Sequence, residues 1–183
     1  YMDEFQNRDC RLMQTVISPS YQRKISGTVK PDAPNFSMTS TGYQLIKWAI
    51  DDDVHVGKAT ANNSIPIFRY AEVLLNYAEA KAELGELTQD DIDQSINLIR
   101  ERAGVPRATL TDWMANVDPV QANRYPNVTS AQKGAILEVR RERRIELACE
   151  GFRYDDLMRW GAGKLMERAP EGMYIDKLGY LDL

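Results

Sequence analysis

Apolar positions along the chain change period at Pro66. In IPIFRYAEVLLNYAEAKAELGE, residues 65–86, Ile67, Tyr70, Ala71, Leu74, Tyr77 and Ala78 recur at helical spacing and define one broad apolar stripe. Arg69, Glu72, Asn76, Glu79 and Glu83 fall on the other side, which predicts a polar face. Ser64 suits an N-cap, Pro66 the first turn and Gly85 the stop. A second helix is predicted at once. Thr88 with Asp91 three residues on makes a capping box, Ile92, Ile96, Ile99 and Ala103 line one face, and Gly104 and Pro106 end it. Two helices joined by a few residues predict an antiparallel hairpin of the tetratricopeptide kind, although the full repeat consensus is not matched.

Further on, LTDWMANV (110–117) predicts a short helix, in a connection that Pro119 and Pro126 keep irregular. A long helix is expected from about Ser130 to Glu150, closed by Gly151, and a short one over Tyr154–Trp160, closed by Gly161. The tail after residue 170 reads as extended loop. Residues 1–65 have another texture. They are rich in Ser, Thr, Pro and Asn, with short β-leaning runs in LMQTVI (12–17) and YQLIKWAI (43–50). The expectation is a loop-rich segment over 1–65 that packs on a helical region over 66–183. The fold class is mostly α: tetratricopeptide-like helical hairpins with long irregular loops and a few short strands.

One stretch breaks the simple amphipathic pattern. In ERRIELACEGFRYDDLMRWG (142–161) nearly half the residues are charged, yet aliphatic and aromatic side chains are interleaved. On a helical wheel Ile136, Val139, Arg140, Arg143, Glu146, Leu147 and Glu150 share one sector, while Leu137, Ile145 and Ala148 lie opposite. A helix apolar on two sides is packed on two sides. Its charges then need partners, because an unpaired buried charge is very costly. Arg and Glu along the helix supply some, and Arg153, Asp155, Asp156 and Arg159 of the next segment supply others. The expected network is Arg140, Arg143, Glu146, Glu150, Arg153, Asp156 and Arg159, with Trp160 as an anchor. A catalytic pair of Glu146 with Asp155 or Asp156 is disfavoured, since arginines would hold the acids ionised.

The same residues carry a family resemblance. Glu142, Arg143, Arg144, Glu146, Leu147, Glu150, Gly151, Arg153, Tyr154, Asp156, Leu157, Arg159, Trp160 and Gly161 resemble the C-terminal signature of the SusD/RagB family. IPIFRYAEVLLNYAEAKAELGE, INLIRERAGVP and STGYQLIKW resemble it too, as does RDCRLMQTVISP, where Cys10 stands in place of the family's proline. The resemblance implies a surface-exposed, outer-membrane lipoprotein that binds oligosaccharide, peptide or another nutrient without catalysis. It implies delivery to a SusC-type TonB-dependent transporter barrel, and a lipid anchor outside this stretch. It also implies that the signature is structural and that ligand-contacting aromatics sit on variable loops, so no family ligand position maps onto these residues.

Composition adds limits. The chain has 183 residues, 43% hydrophobic and 27% charged, enough for a real core. A net charge of −4 leaves no electrostatic footprint for nucleic acid. No run of about 18 apolar residues predicts a membrane span. The chain starts at Tyr1 without an initiator Met and stops in KLGYLDL, which reads as a piece of a longer polypeptide. Cys10 and Cys149 have no metal or redox spacing and read as buried thiols rather than a disulfide. His55, the only histidine, sits in DDDVHVGK beside Asp51, Asp52 and Asp53, which reads as a solvated turn; no metal site and no cofactor are expected. Tyr43 and Trp48 are candidate sugar-stacking rings, five apart and so on opposite faces of an extended stretch, which favours packing. Trp113 is a third candidate. No phosphate loop or nucleophile elbow is present. Beside the nutrient-binding reading stand an intracellular tetratricopeptide-like adaptor for a protein partner and, less favoured, a hydrolase acting through Glu146 and Asp156.

Overall fold

In the computed structural model, residues 3–55, 63–169 and 171–173 are described. They fall into two compact units. The first runs to Ile67 and takes in the residues from Ala169; the second is Phe68–Arg168. The expected extended tail lies mostly outside the described residues.

The first unit is sparse in regular structure. Helix α1 (Arg11–Thr15) replaces the β-leaning run expected there. Asp9 explains the difference: its carboxylate accepts from the backbone N–H of Arg11 and from the Arg11 guanidinium, at 2.9 and 2.6 Å, and so supports a first turn that strand propensity opposes. Strands β1 (Gln22–Ile25) and β2 (Thr28–Pro31) form a hairpin in which Ile25 pairs Thr28. Its two-residue turn is Ser26–Gly27, both at positive φ, as a tight hairpin requires. YQLIKWAI forms no strand. Leu45 makes a single bridge to Val16, and Trp48 turns the chain at φ 67°.

The three aspartates after it are structural. Asp51 accepts from the Tyr21 hydroxyl at 2.6 Å, Asp52 from the Lys24 ammonium at 3.1 Å and Asp53 from the Ser26 N–H at 2.9 Å. The described part of the expected solvated turn faces solvent and also clamps the hairpin, while its residues 56–58 lie outside the described residues.

The second unit is helical. Helix α2 spans Tyr70–Glu83 and starts later than Ser64 and Pro66 suggest. Arg69 is held extended, φ −146°, with its guanidinium on the end of a distant helix, and this fixes where α2 begins. Gly85, at φ 75°, ends it through N–H bonds from Gly85 to Ala82 and from Glu86 to Lys81, satisfying carbonyls that α2 leaves open. The predicted apolar stripe splits. Leu74 and Ala78 are buried, together with Leu75, Glu79 and Ala82, whereas Ile67, Tyr70 and Tyr77 are exposed. The inward face is rotated toward Glu79 because Arg159 and Trp160 offer that carboxylate partners.

The capping box of Thr88 and Asp91 is present and opens α3 (Gln89–Asp93). The single helix expected next is two. Ser95 leaves helical geometry at φ −132°, and α4 runs Ile96–Arg102. Ile92, Ile96, Ile99 and Ala103 are all buried as their spacing predicts. Helix α5 is Leu110–Ala115. Helix α6, Pro119–Arg124, was not expected; Pro119 occupies its first position and Asp118 caps it by accepting from the N–H groups of Val120 and Gln121. Helix α7 is Lys133–Glu146, shorter than expected at both ends, and α8 is Arg153–Arg159.

Helix α7 is the axis of this unit. It packs against α2, α4, α5 and α6. Ala135, Ile136, Leu137, Val139, Arg140, Glu142, Arg143 and Glu146 are buried on it, which bears out packing on two sides. Gly134 lets α5 approach, because a Cβ there would overlap the carbonyl oxygen of Trp113. Among the described residues no helix is long and apolar enough to cross a membrane.

Candidate functional site

The charged stretch builds the most elaborate polar structure of the second unit. Arg143, 5% exposed, projects from α7 and aims Nε at both oxygens of Asp156 on α8, at 2.9 and 2.8 Å. Its Nη1 donates to the Asn76 side chain on α2 at 2.6 Å. Asp156 also accepts from Arg159, at 3.0 Å from Nε and 2.8 Å from Nη2. Arg159 reaches on to Glu79, where Nη2 donates at 2.6 Å and Nη1 makes a second, shorter bond. Burial pulls the Arg159 pKa down, but the bonds to Glu79 and Asp156 outweigh it and hold it above its ordinary value. The Trp160 indole N–H completes Glu79 at 2.6 Å. One chain of bonds therefore ties α2, α7 and α8.

A second cluster sits at the C-terminal end of α7. Arg69 donates to Glu146 at 2.5 Å and to Glu150 at 2.8 and 2.7 Å, and its Nη2 also takes the Glu146 carbonyl at 2.7 Å. Arg102 adds a bond to Glu146 at 2.6 Å. Glu142 is matched by Arg100 at 3.1 Å. Arg143 and Glu146, adjacent on the wheel, do not pair with each other; each is taken by a different segment of the chain.

Arg140 is handled differently. Its Nη2 donates to Glu83 at 2.9 Å, while Nε and Nη1 are buried without hydrogen-bond partners. The guanidinium lies against two rings, 5.2 Å from Tyr125 and 4.8 Å from Trp160, which meet edge to face at 5.7 Å. Two π faces take the place of acceptors. Arg153 comes near the same indole, 5.9 Å away, and donates to the Tyr125 hydroxyl at 3.1 Å. Asp155 is exposed.

Between α7 and α8 the chain reverses through Cys149 and Gly151, at φ 64° and 89°. Under this elbow lies an open cavity of about 300 Å³, lined among others by Arg143, Arg144, Cys149, Phe152 and Arg153. Nothing in the sequence pointed to it. The signal was there only as a run of arginines whose carboxylate partners could not be counted in advance.

The three aromatic candidates divide between the units: Tyr43 and Trp48 belong to the first and Trp113 to the second. Trp113 is 6% exposed, with its ring in the core. Tyr43 is part-buried and donates its hydroxyl to Glu4 at 2.7 Å. Trp48 is 41% exposed, with the Lys47 ammonium 6.0 Å from its ring. Cys149 is exposed and Cys10 part-buried, so the expected buried thiols are not found. Among the described residues no group of His, Cys, Asp and Glu has the arrangement of a metal site.

Comparison with known proteins fits this scaffold. A sequence profile described as the SusD family matches residues 1–180. A SusD-like protein of Formosa agariphila is 32% identical over 108 residues, covering 58% of this chain and 19% of that protein. The crystal structure of a SusD-like protein from Bacteroides fragilis superposes with a TM-score of 0.61 at 26% identity, over 87% of this chain and 29% of that one. The chain thus spans less than a third of the length of either relative. Matched along nearly its whole length, and built on the mostly helical frame of its structural neighbour, the chain belongs to the SusD family.

Proposed function

We propose that this chain is part of a surface-exposed, lipid-anchored protein of the outer membrane that binds oligosaccharide, or another nutrient, and passes it to a SusC-type TonB-dependent transporter. The observation that carries the reading is the family match over residues 1–180. The geometry agrees with binding rather than turnover. Both oxygens of Asp156 take guanidinium donors, and Oε1 of Glu146 takes two. Carboxylates committed to arginines inside a core are poor general acids and bases. The polar network acts as a frame that fixes helix positions, and a rigid frame lowers the ordering cost of binding.

The test is calorimetric titration of the protein at its native length with a panel of neutral and acidic oligosaccharides, with the products analysed after long incubation. Saturable binding with intact oligosaccharide supports the reading. Cleaved oligosaccharide, or no binding to any member of the panel, contradicts it. Co-purification of a barrel transporter with the native protein tests the delivery step.

A further inference from the structure

The guanidinium groups of the second unit are unevenly served. Arg69, Arg143 and Arg159 each bond carboxylates. Arg124, Arg144 and Arg153 do not: among the described residues, none of the three has a carboxylate at ion-pair distance. Arg153 has one hydrogen bond, to the Tyr125 hydroxyl, and its Nη1 is buried without a partner. The Arg144 pKa is pulled down by desolvation and then by the like charges of Arg153 and Arg124. Three cations thus crowd one region of α6, α7 and α8, with no carboxylate at ion-pair distance among the described residues.

Two of them, Arg144 and Arg153, line the elbow cavity of about 300 Å³. Arg143 lines it as well, but its charge is committed to Asp156, the one acid of the lining among the described residues, which is held by Arg143 and Arg159. The wall also offers the Phe152 ring and the aliphatic Leu147 and Ala148. Uncompensated cations around a partly apolar concavity focus a positive potential there. Guanidinium forks match the geometry of carboxylate and sulfate oxygens.

We infer that the elbow between α7 and α8 is an oxyanion site, which takes the sulfate ester or carboxylate of an acidic ligand on Arg144 and Arg153. That the group arrives on a saccharide rests on the proposed function; the oxyanion chemistry does not.

Cys149, on the cavity wall and exposed, supplies the probe. The thiol is alkylated, in the native-length protein, by anionic iodoacetate and by neutral iodoacetamide, and the rate at Cys149 is read by peptide mass spectrometry. The site predicts that the ratio of the iodoacetate rate to the iodoacetamide rate exceeds that of a free thiol such as N-acetylcysteine by at least about fivefold, through electrostatic focusing. Sodium sulfate or glucuronate slows iodoacetate at Cys149 more than sodium chloride at equal ionic strength, which only screens the field, and glucose leaves the rate unchanged. Arg153→Gln and Arg144→Gln each lower the ratio; a change in the thiolate fraction slows both reagents alike and cancels in it. Arg144 has no hydrogen bond or ion pair among the described residues, so its variant keeps the test open if Arg153→Gln fails to fold. A ratio equal to that of the free thiol, or protection no better than chloride gives, overturns the inference. Neutral oligosaccharide binding without sulfate protection would remove the oxyanion site alone. Sulfate protection without binding of any oligosaccharide would keep the site and remove the saccharide reading.

Discussion

Arg143 and Arg102 show how differently two arginines of one network weigh. Arg143 is almost fully enclosed and serves Asp156 and Asn76. Arg102 leaves 58% of its side chain in water while bonding Glu146. Removing one partner of a buried pair leaves the other charge stranded, whereas an exposed pair gives up little. Arg143→Ala is expected to lower unfolding stability by about 3–5 kcal/mol and Arg102→Ala by under about 1 kcal/mol, read by urea denaturation. Asp91 gives a prediction in pH. Hydrogen bonds from the Tyr77 and Thr88 side chains hold its carboxyl at about 2, below its ordinary value. A carboxyl depressed in the folded state contributes stability that is complete above the unfolded value, about 4, and is lost as pH falls toward 2. Tyr77→Phe removes the leading donor, so the acid limb of the stability profile in that window should become shallower. An unchanged limb would show that Tyr77 does not set this carboxyl.

Loops of the second unit are held by amide side chains that imitate a strand partner, and this belongs to the scale of the elements. Asn97, fully buried, accepts from the Ala108 N–H at 2.7 Å and donates to the Ala108 carbonyl at 3.0 Å. Gln132 does the same for Leu87, at 3.1 and 3.0 Å. Asn97→Ala strands the Ala108 N–H and is expected to cost about 1–3 kcal/mol in chemical denaturation. At Gly134 a methyl group would meet the backbone of α5 rather than a yielding side chain. Gly134→Ala should therefore force α5 off α7 and lower the thermal midpoint more than Gly85→Ala, where only the left-handed backbone, at φ 75°, is at stake.

Elements set by near neighbours were legible in the sequence. Thr88 and Asp91 close their capping box within one turn, and the buried face of Ile92, Ile96 and Ile99 follows from spacing alone. Long-range partnerships were not legible. Glu79 looked like a polar-face residue because Arg159 and Trp160 lie 80 residues or more away. α6 was hidden because Pro119 reads as a breaker until Asp118 is seen to cap the helix that begins with it. α1 was hidden by the strand propensity of Leu12 and Val16, which Asp9 overrides. The elbow cavity was out of reach, since it depends on which arginines end without an acid.

At the scale of the molecule, the second unit is held by a polar chain running through its core as well as by its apolar cluster. Asn76 and Glu79 on α2, Arg143 on α7, and Asp156 and Arg159 on α8 form one connected set. A catalytic or ligand-binding role would leave such groups open; a structural role couples them. The most direct measurement is a double-mutant cycle of Arg143→Ala and Asp156→Ala by urea unfolding of the protein at its native length. A frame held by this pair predicts that the double variant is more stable than the sum of the single losses implies, with a coupling of about 2 kcal/mol or more, as neighbours in one network show. A coupling within about 0.5 kcal/mol of zero, the value for independent sites, would contradict the account.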